Sequence, residues 1–297
     1  MFPAPGRREF LHRLLAGAVT LPALDRLAFA ADGVIETARL GGTLALMSGA
    51  GGNVLVSESV DGLLMVNGGA RAHSPALLAE VARQFGGKRV QTLINTDCHP
   101  AHTGSNAALR AGGAVVVAHE HTKQYIGRTL PKNALPTKTF YTSETMTAGG
   151  DTIDCAQLGQ AHTDGDIYVF FRDQNVLVAG DLLTAGAYPI ADYRAGGWLG
   201  GMVTATKTIL DLTNPQTRFV PGTGAILARA DVEAEHQMLL TLRDRIGKMI
   251  RQGMGAEDML AAGVTGDFDA TWGDPKEFVV ESCKGMWLHV RELGGVV

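Results

Sequence analysis

The sequence predicts an α/β protein built as a four-layer sandwich: two mixed β-sheets packed face to face, with helices outside both. Three observations carry that expectation. Short β-rich runs separated by Gly and Asn-Gly turn signals open the chain. Strands that alternate with helix starts follow, then a second β-rich stretch. The C-terminal part carries apolar residues at helical spacing. Sheets and amphipathic helices must each bury an apolar side, and stacked layers let them do so together.

The first strands are expected at "TLALMS", "NVLVSES" and "GLLMVNGG". A helix is expected over Ser74–Phe85, with Ser74 as N-cap, Pro75 in the first turn and Leu77, Leu78, Val81 and Phe85 on one face. "VQTLIN" reads as a buried strand, Ser105–Arg110 as a short helix, "AVVVA" as a further strand and Glu120 as the next helix start. The second β-rich stretch runs through "TMTA", "DTIDCAQL", "IYVFF" and "NVLVAG". Within 231–251, Leu239, Leu242, Ile246 and Met249 repeat on one helical face.

The 297 residues are 45% hydrophobic and 19% charged, with a net charge of −4, which gives a globular chain no basic footprint for a nucleic acid. Residues 1–30 read as a targeting segment. Arg7 and Arg8 open an RRxFL pattern, an apolar run follows over Leu14–Leu24, and Ala28-Phe29-Ala30 supplies a cleavage site. That order predicts export by the twin-arginine route to the periplasm or beyond. The run is shorter than the roughly 20 residues a bilayer requires, so no stable membrane anchor is expected. Residues 31–297 read as one domain, since no linker or repeat divides them. Three cysteines (Cys98, Cys155 and Cys283) imply no disulfide framework.

Four segments end predicted strands with polar, metal-competent residues: "NTDCHPAHTG", "GQAHTDGD", "AGDLL" and "VPGTGA". His99, His102, His162 and Asp181 each follow an apolar strand there. The set resembles the metallo-β-lactamase superfamily. That family carries H-x-H-x-D-H after a strand, then G-x-x-H-T, a strand-end G-D, and a late P-G-H-G, with V-D-T-G near its start. The correspondence runs from about residue 45 to 250. Against those motifs this chain has Asp97, His99, Ala101 and His102 in the first, Thr223 in the last, and Asn67 near the start.

The resemblance implies a first metal position at Asp97, His99 and His162, and a second at which only His102 survives. Asp181 is the carboxylate that serves both. Zinc takes about four N, S or O ligands, and two histidines with a carboxylate suit zinc or ferrous iron. One ion of zinc or iron at most is therefore expected, on Asp97, His99, His162 and Asp181, with His102 orienting substrate or supporting the site. Ala101 stands where many relatives place the carboxylate that orients or deprotonates the attacking water. Asp181, Asp97 and Asp164 remain as bases. Asp166 reads as a turn residue and His121 as a surface residue. His119 is expected to line the cleft, and Cys98 to point away from its neighbours. "LLTAGAYPIADYRAGGW" reads as a mobile loop edged by Tyr188, Tyr193 and Trp198, with Tyr188 against substrate.

Two functions fit. One is an exported metallo-hydrolase with an altered, single-metal site for a small ester, lactone, amide or thioester. The other is a non-catalytic protein that keeps the fold without the metal and binds a small ligand or an exported protein partner. Replacements at Asn67, Asp97, Ala101 and Thr223 support the second; three retained histidines and Asp181 support the first. Nothing in the sequence specifies a β-lactam pocket.

Overall fold

Period-two alternation builds both sheets. In "IYVFF", Ile167, Val169 and Phe171 face one way, into the space between the sheets, while Tyr168 and Phe170 face the outer helices. Leu44 and Leu46 do the same on the other sheet, with Ala45 and Met47 turned outward. Strands buried on both faces read as continuous apolar runs, which is how they appear in the sequence.

The computed structural model describes residues 34–292, with the side chains of 290–292 left aside. The targeting segment at 1–30 lies outside the described residues. The larger sheet holds seven strands in sequential order: β1 (Glu36–Gly41), β2 (Leu44–Ser48), β3 (Val54–Glu58), β4 (Leu63–Val66), β5 (Val90–Ile94), β6 (Val115–His119) and β7 (Lys138–Phe140). The first four are an antiparallel meander and the rest join in parallel. Each parallel step crosses over through helix: α1 (Ser74–Gln84), then α2 (Pro100–Thr103) with α3 (Asn106–Ala111), then α4 (Glu120–Thr129).

The second sheet runs β8 (Ser143–Ala148), β9 (Asp151–Gln157), β10 (Ile167–Phe171), β11 (Val176–Thr184) and β12 (Arg218–Thr223). Its last two strands are parallel and are joined through α5 (Leu199–Leu212). The chain closes with α6 (Arg229–Arg251), α7 (Ala256–Ala261), α8 (Asp269–Trp272) and α9 (Lys276–Glu292). Apolar clusters separate the four layers. Leu77, Val81 and Phe85 of α1 pack on the first sheet, and Leu239, Leu242 and Ile246 of α6 lie in the layer over the second. This is the expected sandwich of two mixed sheets flanked by helices.

Several local readings shift. Ser74 is the first helical residue rather than the cap, because its hydroxyl receives a hydrogen bond from Ser105 at 2.9 Å. The loop after Asp181 is pinned by its aromatics. Tyr188 stacks on Phe278 with ring centroids 5.0 Å apart and gives its hydroxyl to Asp269 at 2.8 Å, and Trp198 stacks on His289. Tyr188 is 5% exposed and belongs to the core, which corrects its expected place against substrate. No described helix is long and apolar enough to cross a membrane.

Candidate metal centre

One end of the sandwich gathers the chain ends of β4, β5, β11 and β12. Asn67, at a left-handed φ of 66°, follows β4 and accepts from both Thr96 N–H and Thr96 hydroxyl at 3.0 Å. Asn tolerates that conformation better than most residues. It thereby braces the loop that carries Asp97, His99 and His102. Ile167 N–H reaches Thr96 O at 2.9 Å, tying this loop to the second sheet beside His162.

Asp181 lies inside β11, where the pairing with β12 slips on both sides of Gly180. Gly180 takes φ 56°, and the irregularity re-aims the next side chain. Gly222 on β12 is required by contact: any Cβ there would collide with Asp181 Oδ1.

The imidazole nitrogens can be assigned from what they touch. His162 Nδ1 faces the Ile190 carbonyl and His99 Nε2 faces Asp192 Oδ2 at 3.2 Å, so both nitrogens donate. His102 Nδ1 donates to Asp97 Oδ2 at 2.6 Å. In neutral rings, the remaining nitrogens are then bare. They are His99 Nδ1, His162 Nε2 and His102 Nε2, and all three surround Asp181. His99 Nδ1 and His162 Nε2 stand 2.9 Å apart, at 3.9 and 3.7 Å from Asp181 Oδ2. His102 Nε2 is buried without a hydrogen-bond partner among the described residues, 3.4 Å from Asp181 Oδ1. Two lone pairs at 2.9 Å repel, and a carboxylate ringed by lone pairs is worse still. The arrangement needs positive charge at its centre, as protons or as a metal ion.

The electrostatics of the site favour positive charge there. Burial alone would depress His99, but its hydrogen bonds to Asp192 and Asp97 outweigh this and push it up to about 11. Burial also opposes charge on His102, yet Asp181 and Asp97 raise it to about 9. Burial opposes charge on Asp97 as well, and the two histidines overcome it and hold the carboxyl well below its usual range.

The donor set therefore fits a divalent cation. Two groups have ligand atoms close enough to share one: His99 with His162 and Asp181, and Asp97 with His102 and Asp181. The expected quartet is thus regrouped. Asp97 stands with His102, its Oδ2 taken by His102 and its Oδ1 by His99 N–H at 2.9 Å, though Oδ1 is also 3.4 Å from His99 Nδ1.

Other expected residues fall elsewhere. His119 is 1% exposed with both nitrogens engaged: Nδ1 accepts from His121 N–H and Nε2 donates to Tyr141 O. It caps α4, which corrects its expected role in lining the cleft. His121 pairs with Asp164 at 3.3 Å, so Asp164 is held away from the metal groups. Asp166 accepts from Thr163 N–H and hydroxyl, as a turn residue does. Cys98 opens instead onto a pocket of about 160 Å³ with Pro100, Thr103 and Leu130, and burial pushes its thiol up. Sequence reasoning missed Asp192, which lies 93 residues from His99; only the turn signal in "ADYRAGG" hinted that it was fixed.

Residues 48–222 match the sequence model of the metallo-beta-lactamase superfamily. The chain belongs to that superfamily. Among solved structures it resembles a metallo-beta-lactamase from Pontibacter korlensis, with TM-score 0.62 and 18% identity over 70% of this chain and 99% of that one. A second, from Hirschia baltica, gives TM-score 0.59 and 19% identity over 69% and 97%. A curated relative is the 2,4-dinitroanisole O-demethylase subunit alpha of Nocardioides sp. strain JS1661, 27% identical over 175 residues. That match covers 58% of this chain, which spans about half the length of the relative.

Proposed function

We propose that the chain is an exported hydrolase with one divalent ion, zinc or iron, held by His99 Nδ1, His162 Nε2 and Asp181 Oδ2. Its substrate would be a small ester, lactone, amide or thioester. The observation that supports this most is the convergence of bare imidazole nitrogens on Asp181. An ion bound there would supply Lewis acidity toward a carbonyl and toward water.

The protein's own groups divide the remaining work. Asp181 uses Oδ2 toward the ion and keeps Oδ1 toward His102. His102 is held at Nδ1 by Asp97 and turns Nε2 toward Asp181 Oδ1. His99 and Asp181 are about a quarter exposed, so substrate approaches over them rather than over fully buried His102.

A zinc-loaded preparation should hydrolyse members of a panel of activated esters, lactones and thioesters, with 2,4-dinitroanisole added because of the curated relative. Hydrolysis that survives chelation, or that is unchanged in Asp181→Asn, would sink this reading. Ala101 and Thr223 favour the competing one, a binding protein without turnover, since neither can supply a ligand or a base. A chain that holds no metal, binds panel members and turns none over would select it.

A further inference from the structure

His99 and His162 come from different loops, yet one short segment touches the back of both rings. Ile190 O accepts the proton of His162 Nδ1. Asp192 Oδ2 accepts that of His99 Nε2. Asp192 N–H also returns to His162 O at 2.8 Å. The other carboxylate oxygen, Oδ1, accepts from Arg194 and Ala195 N–H at 3.0 and 3.2 Å, so the carboxylate cannot turn freely. A neutral imidazole carries one proton, and an acceptor at one nitrogen leaves the other bare.

We infer that the segment 190–192 is a tautomer clamp for the metal centre, and that Asp192 is the positioning residue that keeps His99 Nδ1 free to bind a cation. This rests on the single-metal reading above. Carboxylates and carbonyls behind ligating histidines fix ring orientation and tautomer in general. Here one segment supplies both acceptors, so site affinity is set by a stretch that contributes no ligand in this reading.

Two substitutions separate this role from simple capping. Asp192→Asn keeps a carbonyl oxygen for Arg194 and Ala195 N–H, and turns its NH2 toward His99 Nε2. That nitrogen must then accept, the ring proton moves to Nδ1, and the cation-facing lone pair is lost. Asp192→Ala removes the cap, but water can reach the partly exposed His99 ring and accept the Nε2 proton.

The experiment is zinc affinity by chelator competition, with thermal midpoints of the zinc-free proteins beside it. Asp192→Asn should bind zinc at least tenfold more weakly than the unmodified chain, and Asp192→Ala within about threefold of it. The zinc-free midpoints should run the other way, with Asp192→Ala lowest. Parallel orders, with Asp192→Ala weaker in both, would overturn the clamp. So would an unchanged affinity in Asp192→Asn. Failure of the unmodified chain to bind zinc would overturn the metal centre and the clamp together, an outcome distinct from both.

Discussion

His99 Nδ1 and His162 Nε2 face each other at 2.9 Å, and each ring gives its proton to an acceptor on its far side. In neutral rings that sets two lone pairs against each other, and a proton or a metal ion between them relieves the repulsion.

Gly222 permits the carboxylate to sit where it does. Gly222→Ala would force Asp181 Oδ1 away and misplace both its oxygens. Zinc affinity should fall about 10- to 100-fold, as for other disturbances of ligand geometry. Chelator competition checks this; an unchanged affinity would mean that Asp181 is not a ligand.

The second group is short of donors because Ala101 and Thr223 hold none. Ala101 lies beside Gly52, which abuts Gly222 and through it Asp181. The double substitution Ala101→Asp with Thr223→His should raise zinc content from near one equivalent toward two. Adding His102→Ala should remove the gain. Elemental analysis reads both results.

Glu235 on α6 is buried, with Oε2 accepting from Thr184 N–H at 3.3 Å and Oε1 without a partner among the described residues. Burial raises it well above its ordinary value near 4.5. The folded form then keeps a proton that the unfolded chain releases, so stability falls as pH rises from about 4.5 toward the raised value. Glu235→Gln should abolish that slope. It should gain stability at pH 8 and little at pH 4. Denaturant titrations at the two pH values decide it.

Tyr188 provides a check on the corrected site. Its hydroxyl meets Asp269 and its ring lies in the core. Tyr188→Phe should cost about 1 kcal/mol of stability and leave KM unchanged for any substrate found. A raised KM at unchanged stability would restore its expected role at the cleft.

The layers were legible because strands such as "IYVFF" are buried on both faces and show it as unbroken apolar runs. The residues His99, His102, His162 and Asp181 stood out in the sequence because each follows an apolar run there. Their grouping was not, because it depends on which ring nitrogen faces which acceptor. Asp192 was hidden for the same reason: a single Asp in a turn looks alike whether it caps three residues or holds a ring 93 residues away. Tyr188 misled because an aromatic in a glycine-rich loop gives no sign of the helix that covers it. β1 and β7 carry weak patterns, "ETARLG" and "KTF", and take their place by pairing at the sheet edges.

The most direct measurement is metal content of protein purified without chelator, beside His99→Ala and Asp181→Ala. The account predicts near one equivalent of zinc or iron per chain, lost in both variants. No metal, even after dialysis against excess zinc and then ferrous iron, would contradict it and leave protons as the charge between His99 and His162.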